Sequence, residues 1–193
     1  MSSERMEKLL IFEGLSCCGK TYLIERLTRE SECVGIIRRI SRDLQSPTPE
    51  VFMKNDELKF SDAKKCRGIA LMDRGYLSTL VFYTVMEEMC QGFSAEPVKS
   101  WVAYSMGKTL FKPDYYVFVE IPPQVSRERA TGVRPFDSRN LWMTATERMH
   151  FWYGEYLSTL EEGVPILRVD GIKPLDLLEK ELEALMISLK DQK

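Results

Sequence analysis

The strongest chemical signal in the chain is Gly14-Leu15-Ser16-Cys17-Cys18-Gly19-Lys20-Thr21, which has the spacing GxxxxGK[ST]. A loop of this pattern turns successive main-chain N–H groups toward an anion at a helix N-terminus. The lysine reaches terminal phosphates and the hydroxyl of the last residue can ligate Mg2+. Gly14, Ser16, Cys17, Cys18, Gly19, Lys20 and Thr21 are therefore expected to cradle a nucleoside triphosphate. Cys17 and Cys18 stand where small residues usually ease a tight loop. As a vicinal thiol pair beside Lys20 they also raise regulatory oxidation as an alternative to plain reduced cysteines.

Four further groups could take part. Asp73-Arg74 closes an apolar run, where a carboxylate can hold Mg2+ or accept a proton and a guanidinium can grip a phosphate. Glu120 closes another run and is a second candidate near the metal, with helix capping as the alternative. Residues 127–139 carry Arg127, Arg129, Arg134 and Arg139 around a Gly/Pro-containing loop, the composition of a lid that closes over a nucleotide and stabilises a transferring phosphoryl group. Arg42-Asp43, after the second strand, and Tyr153, on a long helix, are candidates for contacting an acceptor, with surface charge the alternative for the first pair and core or surface packing for Tyr153.

These residues need a scaffold that gathers them. Apolar runs predict strands over 8–12, 34–38, 69–73, 115–121 and 165–170, and helical spacing predicts helices over 20–31, 75–91, 96–111, 122–130, 140–161 and 174–190. The alternation implies βαβ units and a mainly parallel sheet with helices on both faces. Ligands then bind beyond the carboxyl ends of the strands, where the loop, Asp73 and Glu120 fall. Residues 44–68 are least regular, with polar 56–65 read as a short surface helix. The helix at 75–91 carries two apolar stripes, Leu77, Leu80, Val81 and Val85, then Phe82, Met86 and Met89. The second is either buried within the domain or meets a second subunit, so a homodimer is one expectation.

Composition sets bounds on this reading. The 193 residues suit a single domain, and a formal net charge of −2 leaves no footprint for a nucleic acid polymer. No apolar stretch approaches a membrane span and no secretory leader is evident, so cytoplasm is the expected location. Five cysteines without CxxC spacing argue against a disulfide framework and a zinc site, and one histidine rules out a multi-histidine metal cage.

In order along the chain, Phe12-Glu13-Gly14 leading into Gly19-Lys20-Thr21, Asp73-Arg74, Lys112-Pro113-Asp114 followed by Ile121-Pro122-Pro123 and Arg127-Glu128-Arg129, and Val164 to Asp170 with Gly171 and Pro174 resemble the thymidylate kinase-like branch of P-loop nucleoside and nucleotide kinases. The resemblance spans nearly the whole chain. It implies a P-loop NTPase fold with a five-stranded parallel sheet, Mg-ATP as phosphate donor, and often a homodimer. It also implies that Arg74 grips the phosphate of a small-molecule acceptor, that the lid arginines grip the donor, and that the loop at Gly171 passes beside adenine. Ser16 stands where the family carries an acid that touches the acceptor sugar, and Cys17 stands where a glycine usually follows. The Arg-Glu-Pro-Gly-Gly stretch after the second strand has a faint echo in Ser41-Arg42-Asp43.

The sequence reading is therefore a phosphotransferase moving the γ-phosphoryl group to a nucleoside monophosphate. The alternatives are a nucleoside or other metabolite kinase, in which Asp73 or Asp43 must act as base, a nucleotide-binding switch, or a degenerate kinase that only binds nucleotide.

Overall fold

A computed structural model describes residues 6–30, 32–38, 48–133, 140–160 and 163–190. Five strands, β1 (Met6–Glu13), β2 (Val34–Ile36), β3 (Gly68–Asp73), β4 (Tyr115–Glu120) and β5 (Ile166–Asp170), form one parallel sheet in the order β2-β3-β1-β4-β5. The central runs Leu9–Phe12, Ile69–Met72 and Tyr116–Val119 are buried, as a sheet covered on both faces requires. Helix α1 (Lys20–Glu30) packs with α8 (Leu175–Lys190), and α3 (Tyr76–Met89) packs with α7 (Thr146–Leu160). Between them run α2 (Pro49–Ala63), α4 (Glu96–Ser105), α5 (Pro123–Val133) and the short α6 (Leu141–Thr144). Among the described residues, no helix is long and apolar enough to cross a membrane.

Three elements depart from the sequence reading. Helix α2 has 15 residues and buries Asp56, Lys59, Phe60 and Ala63, where a short surface helix was expected. The two charges are tolerated because Lys59 Nζ lies 2.7 Å from Asp56 Oδ1, and Thr79 Oγ1 donates to Asp56 Oδ2 at 2.7 Å. The helix expected over 96–111 ends at Ser105, after which Met106 is extended and Gly107 has a φ of 81°. The helix expected over 140–161 breaks at Ala145 into α6, capped by the Asn140 side chain accepting from the Trp142 N–H, and α7. The wide apolar surface of α3 is covered within the chain, by α7 on one side and by α2 and α4 on the other. Of its second stripe, Phe82 stacks between Phe52 and Trp142, and Met89 is exposed.

Candidate functional site

The strand order places β1 between β3 and β4, so the loop after β1 and the residues closing β3 meet at one crevice. Phe12 pairs in register with Asp73, and Glu13 with Phe118. The loop leaves β1 through Gly14, whose φ of 134° suits glycine alone; an added Cβ would lie 2.4 Å from the Val119 carbonyl oxygen. Cys17 has a φ of 58°, left-handed backbone that explains why glycine is favoured there and that an L side chain occupies at a cost of about 1–2 kcal/mol.

Lys20 is buried, and its ammonium donates to the carbonyls of Gly14 at 3.0 Å and Leu15 at 2.7 Å and approaches Cys18 Sγ at 3.1 Å. The Thr21 hydroxyl donates to Asp73 Oδ2, so the residue opening α1 and the residue ending β3 share one point. Both offer oxygen, the donor type a hard cation takes. Among the described residues no three His, Cys, Asp or Glu side chains gather into a metal cage. Magnesium, which keeps most of its water and binds through one or two protein groups plus phosphates, fits such a pair.

Arg74 follows in left-handed conformation, φ 61°, with its N–H donating to the Phe12 carbonyl at 3.0 Å. Lys59 donates to the Arg74 carbonyl at 2.9 Å and secures the turn from the other side. The guanidinium Nη1 donates to Ser78 Oγ at 2.9 Å and Tyr153 OH at 2.8 Å, and the group sits 4.5 Å from the Trp142 ring centroid. Burial works against its charge, but Tyr153, Asp73, Glu13 and Cys18 together favour it and raise its pKa above the ordinary guanidinium value. Behind these hydroxyls lies Glu13, fully buried, which accepts from the Gly75 N–H at 2.9 Å and from Ser78. Burial pushes its carboxyl above the usual range despite Ser78, Arg74, Gly75 and Lys59.

On the other flank, Arg129 donates with both Nη atoms to the Gly171 carbonyl at 3.2 Å. Ser126 Oγ donates to the Ser16 carbonyl at 2.7 Å and ties α5 to the loop. Gly171 must be small, since an added Cβ would lie 2.7 Å from Ile121 Cγ2 and 3.2 Å from the Cys18 carbonyl.

The fold thus brings together the loop, Thr21, Asp73 and Arg74 on one side and Arg129 with Gly171 on the other. Three expected residues stand elsewhere. Glu120, expected near the metal, faces His150 Nε2 at 4.0 Å in a cavity of about 450 Å³ at the ends of β4 and β5, because its side chain lies on the α7 face of the sheet. Tyr153, expected to touch an acceptor, is fully buried behind Arg74. Arg127, expected on the nucleotide, is paired with Glu147 and donates to Thr146 Oγ1 at 2.9 Å. Arg42, Asp43, Arg134 and Arg139 lie outside the described residues. Sequence reasoning missed Ser78, Lys59 and Trp142 as supports of Arg74, and Glu13 as their anchor. Only the short separation of Arg74 and Ser78 in sequence and an acid closing an apolar strand hinted at them.

The five-stranded parallel sheet and the GxxxxGK[ST] loop between β1 and α1 define an α/β fold with a phosphate-binding loop. No family model matches the chain, and no curated protein matches it by sequence. Among solved structures it is similar to deoxyadenosine kinase from M. mycoides with products dCMP and a flexible dCDP bound, at 13% identity and a TM-score of 0.73, covering 93% of this chain and 99% of that one. It is also similar to thymidylate kinase from Candida albicans, at 16% identity and a TM-score of 0.69, covering 96% of this chain and 93% of that one. The M. mycoides enzyme with bound dATP gives 12% identity and a TM-score of 0.67 over the same shares, 93% and 99%.

Proposed function

We propose that this protein is a Mg-ATP-dependent phosphotransferase whose acceptor is a nucleoside monophosphate. The observation that carries the reading is the convergence of Lys20, the Thr21–Asp73 pair and the anchored Arg74 at two adjacent strand ends. Likeness to deoxyadenosine and thymidylate kinases supports it through the fold. Lys20 neutralises charge on the transferring group, and Arg74 holds the acceptor phosphate in line with it. Thr21 and Asp73 would hold Mg2+, which would supply positive charge beside the donor phosphates. Arg127, Arg129, Arg134 and Arg139 would supply further positive charge when the segment 127–139 closes, Arg127 by exchanging Glu147, and Arg129 the Gly171 carbonyl, for phosphate oxygens. Arg129 and Gly171 bracket the base side of the donor.

An acceptor phosphate is largely dianionic at neutral pH and attacks without a strong general base. Catalysis then rests on positioning and charge, and Asp73 is free to serve the metal. A homodimer and a cytoplasmic location accompany this proposal.

The test is ADP release from Mg-ATP across a panel of nucleosides, nucleoside monophosphates and hydroxylated metabolites. Release stimulated by a monophosphate supports the reading. Stimulation by nucleosides alone makes it a nucleoside kinase. ATP binding with no turnover on any acceptor makes it a nucleotide-binding protein.

A further inference from the structure

We propose that Glu13 is a positioning residue that, through Ser78 and Tyr153, aims the Arg74 guanidinium at the acceptor phosphate; the inference rests on the acceptor role given to Arg74 above. Each hydroxyl has one proton to give and two lone pairs to receive. Ser78 Oγ gives its proton to Glu13 Oε2. Tyr153 has one proton for two acceptors, Ser78 Oγ at 2.7 Å and Glu13 Oε2 at 3.4 Å, and the shorter contact takes it. Both hydroxyls are then left with lone pairs toward Arg74 Nη1, at 2.9 Å and 2.8 Å.

A carboxylate at position 13 thus dictates the direction of the whole chain of hydrogen bonds. Its other oxygen is committed to the Gly75 N–H, which starts the turn after Arg74. Glu13 is 0% exposed, so bulk solvent cannot take its place. Trp142, 4.5 Å from the guanidinium, covers one face of it and leaves Nε and Nη2 to meet a phosphate. A cation held between two oriented hydroxyls and an aromatic face is pre-organised, so little entropy is lost when a phosphate arrives.

Glu13→Gln keeps the volume and the acceptor for Gly75 N–H but offers Ser78 an N–H. Ser78 must then turn its proton toward Tyr153, which leaves the Tyr153 proton without an acceptor and the hydroxyl pair no longer oriented toward the guanidinium. The acceptor KM, measured first with dTMP and then with any substrate the panel identifies, is expected to rise about tenfold, the size of one charge-assisted hydrogen bond. The ATP dissociation constant should stay within twofold. In an Arg74→Ala background, Glu13→Gln should add nothing to the acceptor KM, because the residue through which it acts is gone. A second readout needs no acceptor. In a chain carrying Trp101→Phe and Trp152→Phe, acrylamide quenching of Trp142 should increase on Glu13→Gln as the guanidinium loosens. Equal losses for ATP and acceptor, additive effects with Arg74→Ala, or unchanged Trp142 quenching in a folded variant would each overturn the proposal. A wild-type chain that transfers phosphate to nothing on the panel overturns the phosphotransferase reading instead, and the Trp142 measurement then decides the anchoring alone.

Discussion

Gly14→Ala tests the geometry on which the whole site depends. The φ of 134° is glycine backbone, and an alanine Cβ would sit 2.4 Å from the Val119 carbonyl oxygen and 3.2 Å from Cys18 Sγ. Close carbon–oxygen contacts in proteins begin at about 3.3 Å, so about 0.9 Å must be found. The obstacle is main chain in β4, which cannot rotate aside as a side chain would. The loop must lift from β4 at the point where Glu13 pairs with Phe118. Strained backbone costs about 1–3 kcal/mol and overpacking costs a similar amount, giving about 2–6 kcal/mol in all. Urea unfolding should show that loss as a lower midpoint, and calorimetry should show weakened ATP binding, since the lifted loop no longer presents its N–H groups together. Gly154→Ala is the control. It lies within α7 with nothing within 4 Å of an added Cβ, and should stabilise by about 0.5–1 kcal/mol. A Gly14→Ala chain with unchanged midpoint and unchanged ATP affinity would refute the close approach of loop and strand.

Lys20→Ala should lower turnover at least about 100-fold while far-UV circular dichroism stays native, because charge facing the transferring phosphate is removed. Arg74→Ala should weaken binding of a phosphate-bearing acceptor about 100-fold and ATP far less, measured by calorimetry on each ligand alone; equal loss for both would count against the acceptor role. Alanine at Arg127, Arg129, Arg134 or Arg139 should slow single-turnover transfer with little change in ATP affinity in the absence of acceptor, and wild-type rates in all four would reduce 127–139 to a solvated loop. The pH dependence of stability should single out Glu13. Its folded pKa is raised from 4.5, chiefly by burial and despite Ser78, Arg74, Gly75 and Lys59. The folded state therefore holds the proton more tightly, and wild-type stability falls as pH rises from 4.5 through that raised value. Glu13→Gln lacks the loss, so the difference between variant and wild type should grow in the variant's favour across that window and then level off. Urea midpoints of both chains against pH check the sign.

Local sequence determined a good deal here, because the physics behind those features is local. The phosphate loop needs its glycines, lysine and hydroxyl at fixed offsets, whatever surrounds it. Buried parallel strands need continuous apolar runs, and Leu9–Phe12, Ile69–Met72 and Tyr116–Val119 supply them. The sheet was legible from those runs and the helices between them, and so was the placement of Asp73 and Arg74 at a strand end. Helix α2 was misread because its buried face carries Asp56 and Lys59, which look solvated until Thr79 and the main chain of the β3–α3 turn supply their partners. The support of Arg74 was hidden for the same reason. Glu13, Ser78 and Tyr153 are separated by up to 140 residues along the chain, and nothing local orders them. Glu120 and Arg127 show the reverse case. Their types suit a phosphate site, but the face of β4 turns one toward His150 and the packing of α5 on α7 delivers the other to Glu147. A residue's type sets what chemistry it can do, and the sheet order and helix packing determine which partner it meets.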